Sequence, residues 1–366
     1  MSQAVPSSLM ITLIESVSVL SDDVLCLIFQ FLEAKYCIGS CSLTCKKWHQ
    51  LTKSVPLHVK YFRINYSDLV RVVSTDQKLA LNLSSLDLNG AEIKDRGVKC
   101  IAESEFMVNL KALYLGSNKI GDEGVKYLAE SEYLKNLQTL DLYFNEFRLD
   151  GVKYLTQSPF MSNLRKLILS ATFYGAEGVK CIVESPYLTN LQILDLDRNK
   201  IGNEGLEYIT SSQSMSNLRV LSLSDNTIRN LGLKYIAESQ YMSNLEELTL
   251  KSNEIGDEGI KYIAESQFMS KLGKLFLTTN FIGNAGAKYL SDSQYLSNLH
   301  TLDLSSNQLD DDGVNYINES NLMSHLTFLN LSNNNTSNNK NLALDNSVIF
   351  VLCCVVLGKT LCSCWF

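Results

Sequence analysis

Residues 110–136 read LKALYLGSNKIGDEGVKYLAESEYLKN, and close copies of this unit recur along most of the chain. Each copy follows the pattern LxxLxLxxN and then carries Gly, Tyr and Ser at fixed offsets. Self-similarity at a fixed period of this size is typical of a solenoid, in which every repeat is one supersecondary unit. The copies begin every 27 residues, at Leu83, Leu110, Leu137, Leu164, Leu191, Leu218, Leu245, Leu272, Leu299 and Leu326.

The first part of each repeat has the alternation of a β-strand. Leu113 and Leu115 alternate with Ala112, Tyr114 and Gly116. A period of two predicts a short strand with one buried face. We therefore expect Ala112, Tyr114 and Gly116 to face outward.

The second part of each repeat has helical periodicity. Val125, Leu128 and Ala129 recur at helical spacing, and Asp122 and Glu123 are placed to stabilise the positive end of the helix dipole. Neither a lone strand nor a lone helix can bury its apolar side, so the units are expected to stack. The sequence thus predicts an α/β horseshoe with parallel strands on the concave side and helices on the convex side.

This pattern resembles the leucine-rich repeat family, in particular its ribonuclease-inhibitor-like subtype, which has a helix in every repeat. The resemblance covers residues 83–334. It implies a curved scaffold whose open sheet face can hold another protein.

Other repeated columns predict structural roles. A glycine such as Gly124 indicates close approach of neighbouring helices. The tyrosines from Tyr127 to Tyr316 are expected to fill the core, and Cys100 and Cys181 replace tyrosine in that column. These two cysteines are three repeats apart, roughly 14 Å, which is beyond disulfide reach. Asparagines expected to bond backbone groups at the turn after the strand are Asn118, Asn145, Asn199, Asn226, Asn253, Asn280, Asn307 and Asn334.

Residues 20–51, ahead of the repeats, read LSDDVLCLIFQFLEAKYCIGSCSLTCKKWHQL. Ser21 suits a helix cap, Asp22 and Asp23 suit the first turn, and the apolar residues that follow form a stripe at helical spacing. The apolar run at 24–32 is too short to span a bilayer, which needs about 20 residues. An amphipathic helix is predicted.

This segment resembles an F-box. Ser21 stands where the family usually has Pro, and the interval from Leu32 to Trp48 is about one residue longer than in the family pattern. The resemblance implies a small helical module that docks on the Skp linker protein of cullin-RING (SCF-type) ubiquitin ligases. The positions that match are Leu20, Asp23, Leu25, Ile28, Phe29, Leu32, Cys45, Lys46, Trp48 and Leu51. The resemblance divides the following residues between the docking face and the packing of the module: Leu20, Leu25, Ile28, Phe29, Leu32 and Trp48.

An alternative stays open for the same segment. Solenoids need capping elements, so the helices could simply shield the first repeat. The protein would then be a plain protein-binding scaffold or inhibitor with no ubiquitin role.

The domain organisation follows from these patterns. We expect an N-terminal segment at 1–19, an F-box-like module at 20–55, a degenerate first repeat at 56–82, repeats at 83–334, a polar linker at 335–347 and an apolar, Cys-rich tail at 348–366. The tail is short for a membrane span. A cap for the array, a membrane anchor and a mispredicted gene end are alternatives that the sequence leaves open.

Composition limits the setting and the partners. The net charge of −7 gives no general affinity for nucleic acid or anionic membranes. The N-terminus lacks a basic region and contains Glu15, which makes a poor secretory signal. A cytoplasmic or nuclear protein with reduced cysteines is expected.

Catalysis, cofactors and metals are not expected. Cys37, Cys41, Cys45 and His49 have ligand-type side chains, but steps of four residues on one helix climb about 6 Å each and cannot converge on one zinc ion. None of the four histidines has a partner at a motif spacing. We expect a binding protein and not an enzyme.

Target binding is expected at the outward strand positions, because these vary between otherwise similar repeats. Tyr114, Tyr143, Phe144 and Ile168 would provide aromatic and aliphatic area with few rotamers to freeze. The asparagine column also breaks nearby, at Thr172, and Phe173 and Tyr174 follow the break.

Three acidic residues accompany this cluster. Asp141, Asp195 and Asp197 are expected to be unpaired carboxylates, which would favour a basic segment on the target. The alternative is a solvated face whose residues have drifted at random.

Overall fold

A computed structural model describes residues 57–60, 83–321 and 323–337. The predicted F-box helices, the N-terminal segment and the apolar tail lie outside these residues, as does most of the polar linker. The chain divides into two compact units. The N-terminal unit comprises described residues up to 172 together with 185–190, and the C-terminal unit comprises 173–184 and the described residues from 191 onward.

The N-terminal unit consists of parallel strands with a helix between successive repeats. β1 lies in the segment predicted to be a degenerate first repeat, and it pairs with β2. β2 to β5 then pair in chain order, each parallel to the next. The elements are β1 Leu57–Lys60, β2 Leu83–Asp87, α1 Lys94–Ala102, β3 Ala112–Tyr114, α2 Asp122–Glu130, β4 Thr139–Asp141, α3 Leu149–Thr156 and β5 Lys166–Ile168, with short 3-10 helices at Glu105–Asn109, Glu132–Leu134 and Pro159–Met161.

The C-terminal unit repeats the same plan, and β6 to β11 pair in parallel and in chain order. Its elements are α4 Gly175–Val183, β6 Ile193–Asp195, α5 Gly202–Ser211, β7 Val220–Ser222, α6 Asn230–Glu238, β8 Glu247–Thr249, α7 Asp257–Glu265, β9 Lys274–Phe276, α8 Asn284–Ser291, β10 Thr301–Asp303, α9 Asp311–Glu319 and β11 Phe328–Asn330, with 3-10 helices at Gln213–Met215, Gln240–Met242 and Gln267–Met269.

The core is formed by the consensus apolar residues. Leu113 and Leu115 are fully buried, and so are Val125 and Leu128 on the facing side of α2. Each such side chain stabilises the fold by about 1.5 to 3 kcal/mol relative to exposure. The predicted strand and helix periodicities are therefore confirmed in this repeat.

The asparagine column forms a hydrogen-bonded ladder, as predicted. The Asn118 amide donates to the Leu88 carbonyl of the preceding repeat at 2.8 Å and to the Leu115 carbonyl at 2.9 Å. The Asn145 Oδ1 atom accepts from the Asn118 and Ile120 backbone amides, both at 3.0 Å. Each asparagine thus joins its own turn to the turn of the preceding repeat.

The glycine column marks close helix approach, also as predicted. A Cβ atom added at Gly124 would lie 2.5 Å from Asp95 Oδ1 and 3.3 Å from Asp95 Cα in the preceding helix. The same Asp95 Oδ1 atom accepts from the Gly121 amide at 2.7 Å. The first turn of α1 therefore caps the start of α2.

The tyrosine column departs from the prediction that it fills the core. Tyr127 is half-buried and Tyr154 is exposed, and a lysine of the preceding helix lies over each ring: Lys99 at 5.4 Å and Lys126 at 5.7 Å. A phenol has an apolar body and a polar tip, so it suits the edge between two helices better than a dry interior. The core-filling prediction was wrong. In the same column, Cys100 and Cys181 are half-buried free thiols.

Candidate partner-binding site

The open face of the sheet, defined as the strand face that bears Tyr114 and not the buried Leu113, presents one row of residues across the N-terminal unit. Strand register places Asp87, Tyr114, Asp141 and Ile168 at successive positions in that row. Tyr114 and Ile168 are half-buried, whereas Asp141 is buried. The structure therefore brings together the predicted residues Tyr114, Asp141 and Ile168.

Tyr143 and Phe144 follow the strand end next to this row. A Cβ atom added at Gly116 would lie 1.9 Å from Tyr143 Cε1, so the tyrosine ring lies directly on this glycine. The prediction that Gly116 faces outward therefore needs correction, because the ring buries it. Phe144 has a φ of 51° and is 65% exposed. We call Tyr114, Tyr143, Phe144 and Ile168 the aromatic patch.

The charge around Tyr114 keeps its phenol neutral. Burial raises the pKa of Tyr114, and the Asp141 and Asp87 carboxylates raise it further. Because the phenol stays protonated, it can donate a hydrogen bond to a partner. The aromatic patch thus combines apolar area with one polar donor.

The predicted acidic residues are not unpaired carboxylates. Asp141 Oδ1 accepts from the Tyr143 amide at 3.0 Å, and Asp195 Oδ1 accepts from the Asp197 amide at 3.1 Å. Asp197 Oδ1 accepts from the Ser224 amide at 2.7 Å. These bonds arise because a carboxylate at the strand end reaches the amide two residues further along, or that of the next repeat.

Asp195 and Asp197 belong to the C-terminal unit, where they form an acid pair at the end of β6. Burial raises the pKa of Asp197 from its ordinary value of 3.8 to about 7, and the Asp195 charge contributes next. Burial and the Asp195 charge also hold the pKa of Tyr174 well above 10. The acid pair therefore holds a proton near neutral pH.

The break in the asparagine column produces a local change in both units. In the N-terminal unit, the Thr172 hydroxyl donates to the Leu169 carbonyl at 2.9 Å. In the C-terminal unit, Tyr174 is buried, and its hydroxyl accepts from the Asn199 amide at 3.3 Å. Phe173, beside it, is exposed, and the Lys200 ammonium lies 5.6 Å from its ring.

Two further features were missed by reasoning from the sequence. Phe281 is 56% exposed, and it occupies the loop position that Phe173 occupies in an earlier repeat. The Ser224 hydroxyl is buried and has no hydrogen-bond partner among the described residues. Phe281 could have been found from its departure from the column, but a serine in a serine-rich consensus gives no signal.

The predicted Skp-binding residues Leu20, Leu25, Ile28, Phe29, Leu32 and Trp48 lie outside the described residues. Over the residues that the structure does describe, no group of three or more His, Cys, Asp or Glu side chains is arranged to hold a metal ion. No helix in that part of the chain is long and apolar enough to cross a membrane.

Comparison with solved structures shows the fold. An internalin from Listeria monocytogenes is 21% identical with a TM-score of 0.52, over 79% of this chain and 71% of that one. Internalin C2 from the same organism is 23% identical with a TM-score of 0.43, over 73% of this chain and 92% of that one. The comparison with curated protein sequences gives no match.

Two protein families match within the chain. The leucine-rich repeat family matches at 81–102, 107–129, 187–209, 214–237, 241–264 and 295–317. The chain is thus a leucine-rich-repeat protein. The F-box domain family matches residues 17–60, so this is an F-box and leucine-rich-repeat protein.

These two domains define a general role. F-box and leucine-rich-repeat domains are typically non-catalytic interaction modules. An F-box implies binding of a Skp-type linker, and the repeats imply binding of a protein target. Their combination supports a role of the SCF substrate-receptor type.

Proposed function

We propose that this protein is a non-catalytic substrate receptor of a cullin-RING ubiquitin ligase. Its F-box docks on the Skp-type linker and, through it, on a cullin, while the open face of the repeats holds a target protein. The observation that carries this proposal is the F-box match at residues 17–60, directly ahead of the repeats. The contribution of the chain is proximity between the target and a ubiquitin-charged enzyme.

The docking role falls to the F-box. A module of about 40 residues is too small to bury a full core, so an apolar face left on it is covered by a partner. We assign to that face and to the packing of the module Leu20, Leu25, Ile28, Phe29, Leu32 and Trp48.

Target binding falls to the aromatic patch. Interface hot spots are enriched in aromatic residues, because such side chains bury large areas while losing little rotamer entropy. Phe144 is exposed, and Tyr143 is held in place by Gly116. Asp141 supports the patch by accepting the Tyr143 amide.

Capture of the linker tests the proposal. The full chain should co-purify with the Skp-type linker, and Ile28→Asp or Phe29→Asp should reduce capture at least ten-fold by placing a charge on the apolar face. Leu231→Asp is the matched control, because Leu231 lies exposed on α6. Equal capture by all four chains would reject the receptor role and favour a plain scaffold.

A further inference from the structure

The acid pair of the C-terminal unit lies on the open face of the sheet. Asp195 ends β6, and Asp197 follows two residues later on the same side of the strand. Both side chains are partly exposed. Their backbone hydrogen bonds, from the Asp197 amide to Asp195 and from the Ser224 amide to Asp197, fix the position of both carboxyl groups.

The neighbouring charges do not neutralise this pair. Asp225, on the next loop, adds a third negative charge that raises the pKa of Asp197. The Arg198 guanidinium pairs with Asp225 at 3.2 Å, and both side chains of that ion pair are largely exposed. The Lys200 ammonium lies over the Phe173 ring. The pair therefore retains excess negative charge that favours either a proton or an external cation.

A second observation points to an occupant. Ser224 is 5% exposed, and its hydroxyl has no hydrogen-bond partner within the described residues. The hydroxyl faces the Asp197 carboxyl group and lowers its pKa without reaching the geometry of a full hydrogen bond. A buried donor left unused costs free energy, so its presence indicates a second state in which it is used.

Ser305 shows how such a hydroxyl behaves beside a single carboxylate. It occupies the column of Asp197, and its hydroxyl donates to Asp303 Oδ1 at 2.6 Å. The Ser305 amide donates to the same oxygen at 2.9 Å. A serine hydroxyl on this face therefore binds an ionised carboxylate readily, whereas Ser224 faces a carboxyl group that shares a proton.

We propose that Asp195, Asp197 and Ser224 form a binding site for a lysine ammonium of the target protein, which displaces the proton from the acid pair. Lysine fits because its compact ammonium carries three donors and no acceptor, so one group can contact both carboxylates. Arginine presents a planar fork that matches one carboxylate. This inference rests on the proposed function and specifies the target chemistry at its binding face.

Binding of the ammonium changes the protonation of the site. The proton leaves Asp197 for solvent, the ionised carboxylate becomes an acceptor, and the Ser224 hydroxyl turns to donate to it. Since the ionised form is the one that binds, affinity should rise about ten-fold between pH 6 and pH 8. A lysine side chain keeps its charge across that range.

Carbonyl NMR of the full chain, labelled with ¹³Cγ-aspartate, tests the site. The probe is n-butylammonium chloride, which has the head group of a lysine side chain. At about 100 mM it should lower the apparent pKa of Asp197 from about 7 to roughly 6. Tetramethylammonium chloride at the same concentration has no N–H donors and is expected to leave it unchanged.

The variants assign and control the measurement. Asp197→Asn identifies the resonance, Asp303→Asn identifies an internal control in the same spectrum, and Ser224→Ala should reduce the effect of n-butylammonium several-fold. Equal responses to both cations, or an equal response of Asp303, would overturn the inference. Linker capture reads the proposed function separately, so a failure here with capture retained rejects the lysine site alone.

Discussion

The ring of Tyr143 lies on the backbone of Gly116, which occupies the equivalent position in the preceding repeat. Any side chain at Gly116 would occupy the volume of the ring. The glycine thus provides a flat surface that holds the tyrosine in place before a partner arrives, and Phe144 extends from the same turn. Preorganisation of this kind reduces the entropy lost on binding.

Replacement of Phe144 by asparagine should separate binding from stability. Phe144 has a φ of 51°, a conformation that asparagine tolerates better than phenylalanine. We expect the free energy of unfolding of Phe144→Asn to stay within about 0.5 kcal/mol of wild type or to rise, because the exposed ring contributes little to the core. Capture of the target in quantitative co-purification should fall at least ten-fold, since a hot-spot residue is worth about 2 kcal/mol or more.

Phe281→Ala is the matched control for that measurement, because Phe281 is similarly exposed but lies outside the aromatic patch. It should leave target capture unchanged. Loss of capture in Phe281→Ala, or full capture in Phe144→Asn, would place the target elsewhere on the chain.

The asparagine ladder should carry a large share of the stability of each repeat. Asn253 is fully buried, its amide donates to the Leu223 carbonyl at 2.8 Å, and its Oδ1 atom accepts from the Asn226 and Ile228 amides. Asn253→Ala should lower the free energy of unfolding by about 3 kcal/mol or more in urea denaturation, because several buried backbone groups lose their partners.

Asn334→Ala is the control for the ladder. Asn334 makes equivalent bonds to the Leu304 and Leu331 carbonyls, but it is only partly buried, so water can replace them. Its replacement should cost about 1 kcal/mol. Similar losses at Asn253 and Asn334 would mean that the buried bonds are not the source of the stability.

Close helix approach should make Gly124 intolerant of even a methyl group. An added Cβ would lie 2.5 Å from Asp95 Oδ1 and 2.6 Å from Ile120 Cγ2. We expect Gly124→Ala to destabilise the protein by about 1 to 3 kcal/mol in the same denaturation experiment. At Gly256, the nearest atoms to an added Cβ are 3.8 Å away, so Gly256→Ala should be neutral or slightly stabilising. The reverse order would contradict this packing.

The raised pKa of Asp197 predicts a dependence of stability on pH. The folded chain holds more protons than the unfolded chain between pH 3.8 and about 7, so the contribution of Asp197 to stability falls as the pH rises through this window. Asp197→Asn removes that loss. The variant should gain about 1 to 3 kcal/mol relative to wild type between pH 4.5 and pH 8.0, measured by urea denaturation.

Asparagine is compatible with this position, because Asn89 occupies it in the first repeat and accepts the Gly116 amide at 2.6 Å. Asp303→Asn serves as the control, since Asp303 has the hydroxyl and amide of Ser305 as donors. A constant difference between Asp197→Asn and wild type across the pH range would argue against a shared proton in the acid pair.

The repeated elements were predictable because the same pattern is printed at every 27 residues. Leu113 and Val125 are buried where the two periodicities place them, and the amide of Asn118 bonds the carbonyls that the turn leaves open. A mistaken assignment in one copy would have been contradicted by the others. The sequence therefore determined the burial of the core before any coordinates were considered.

The site was less predictable, because its properties depend on contacts between variable residues. The tyrosine column was misplaced because burial of a phenol depends on the height of the neighbouring helix, as Tyr127 shows. The acid pair was expected to be unpaired, but whether Asp197 accepts the Ser224 amide depends on the rise between adjacent strands. Neither distance is written in the periodicity.

The ladder of asparagines has a direction, and this direction bears on how such a chain can change its length. Within the N-terminal unit, the amides of Asn118 and Ile120 are satisfied only by Asn145 of the following copy. A deletion that ended inside a copy would strand those amides, whereas removal of one complete copy would supply the same acceptor from the next. Gene duplication and loss in whole 27-residue steps is therefore the route by which this array can be lengthened or shortened without unfolding what remains.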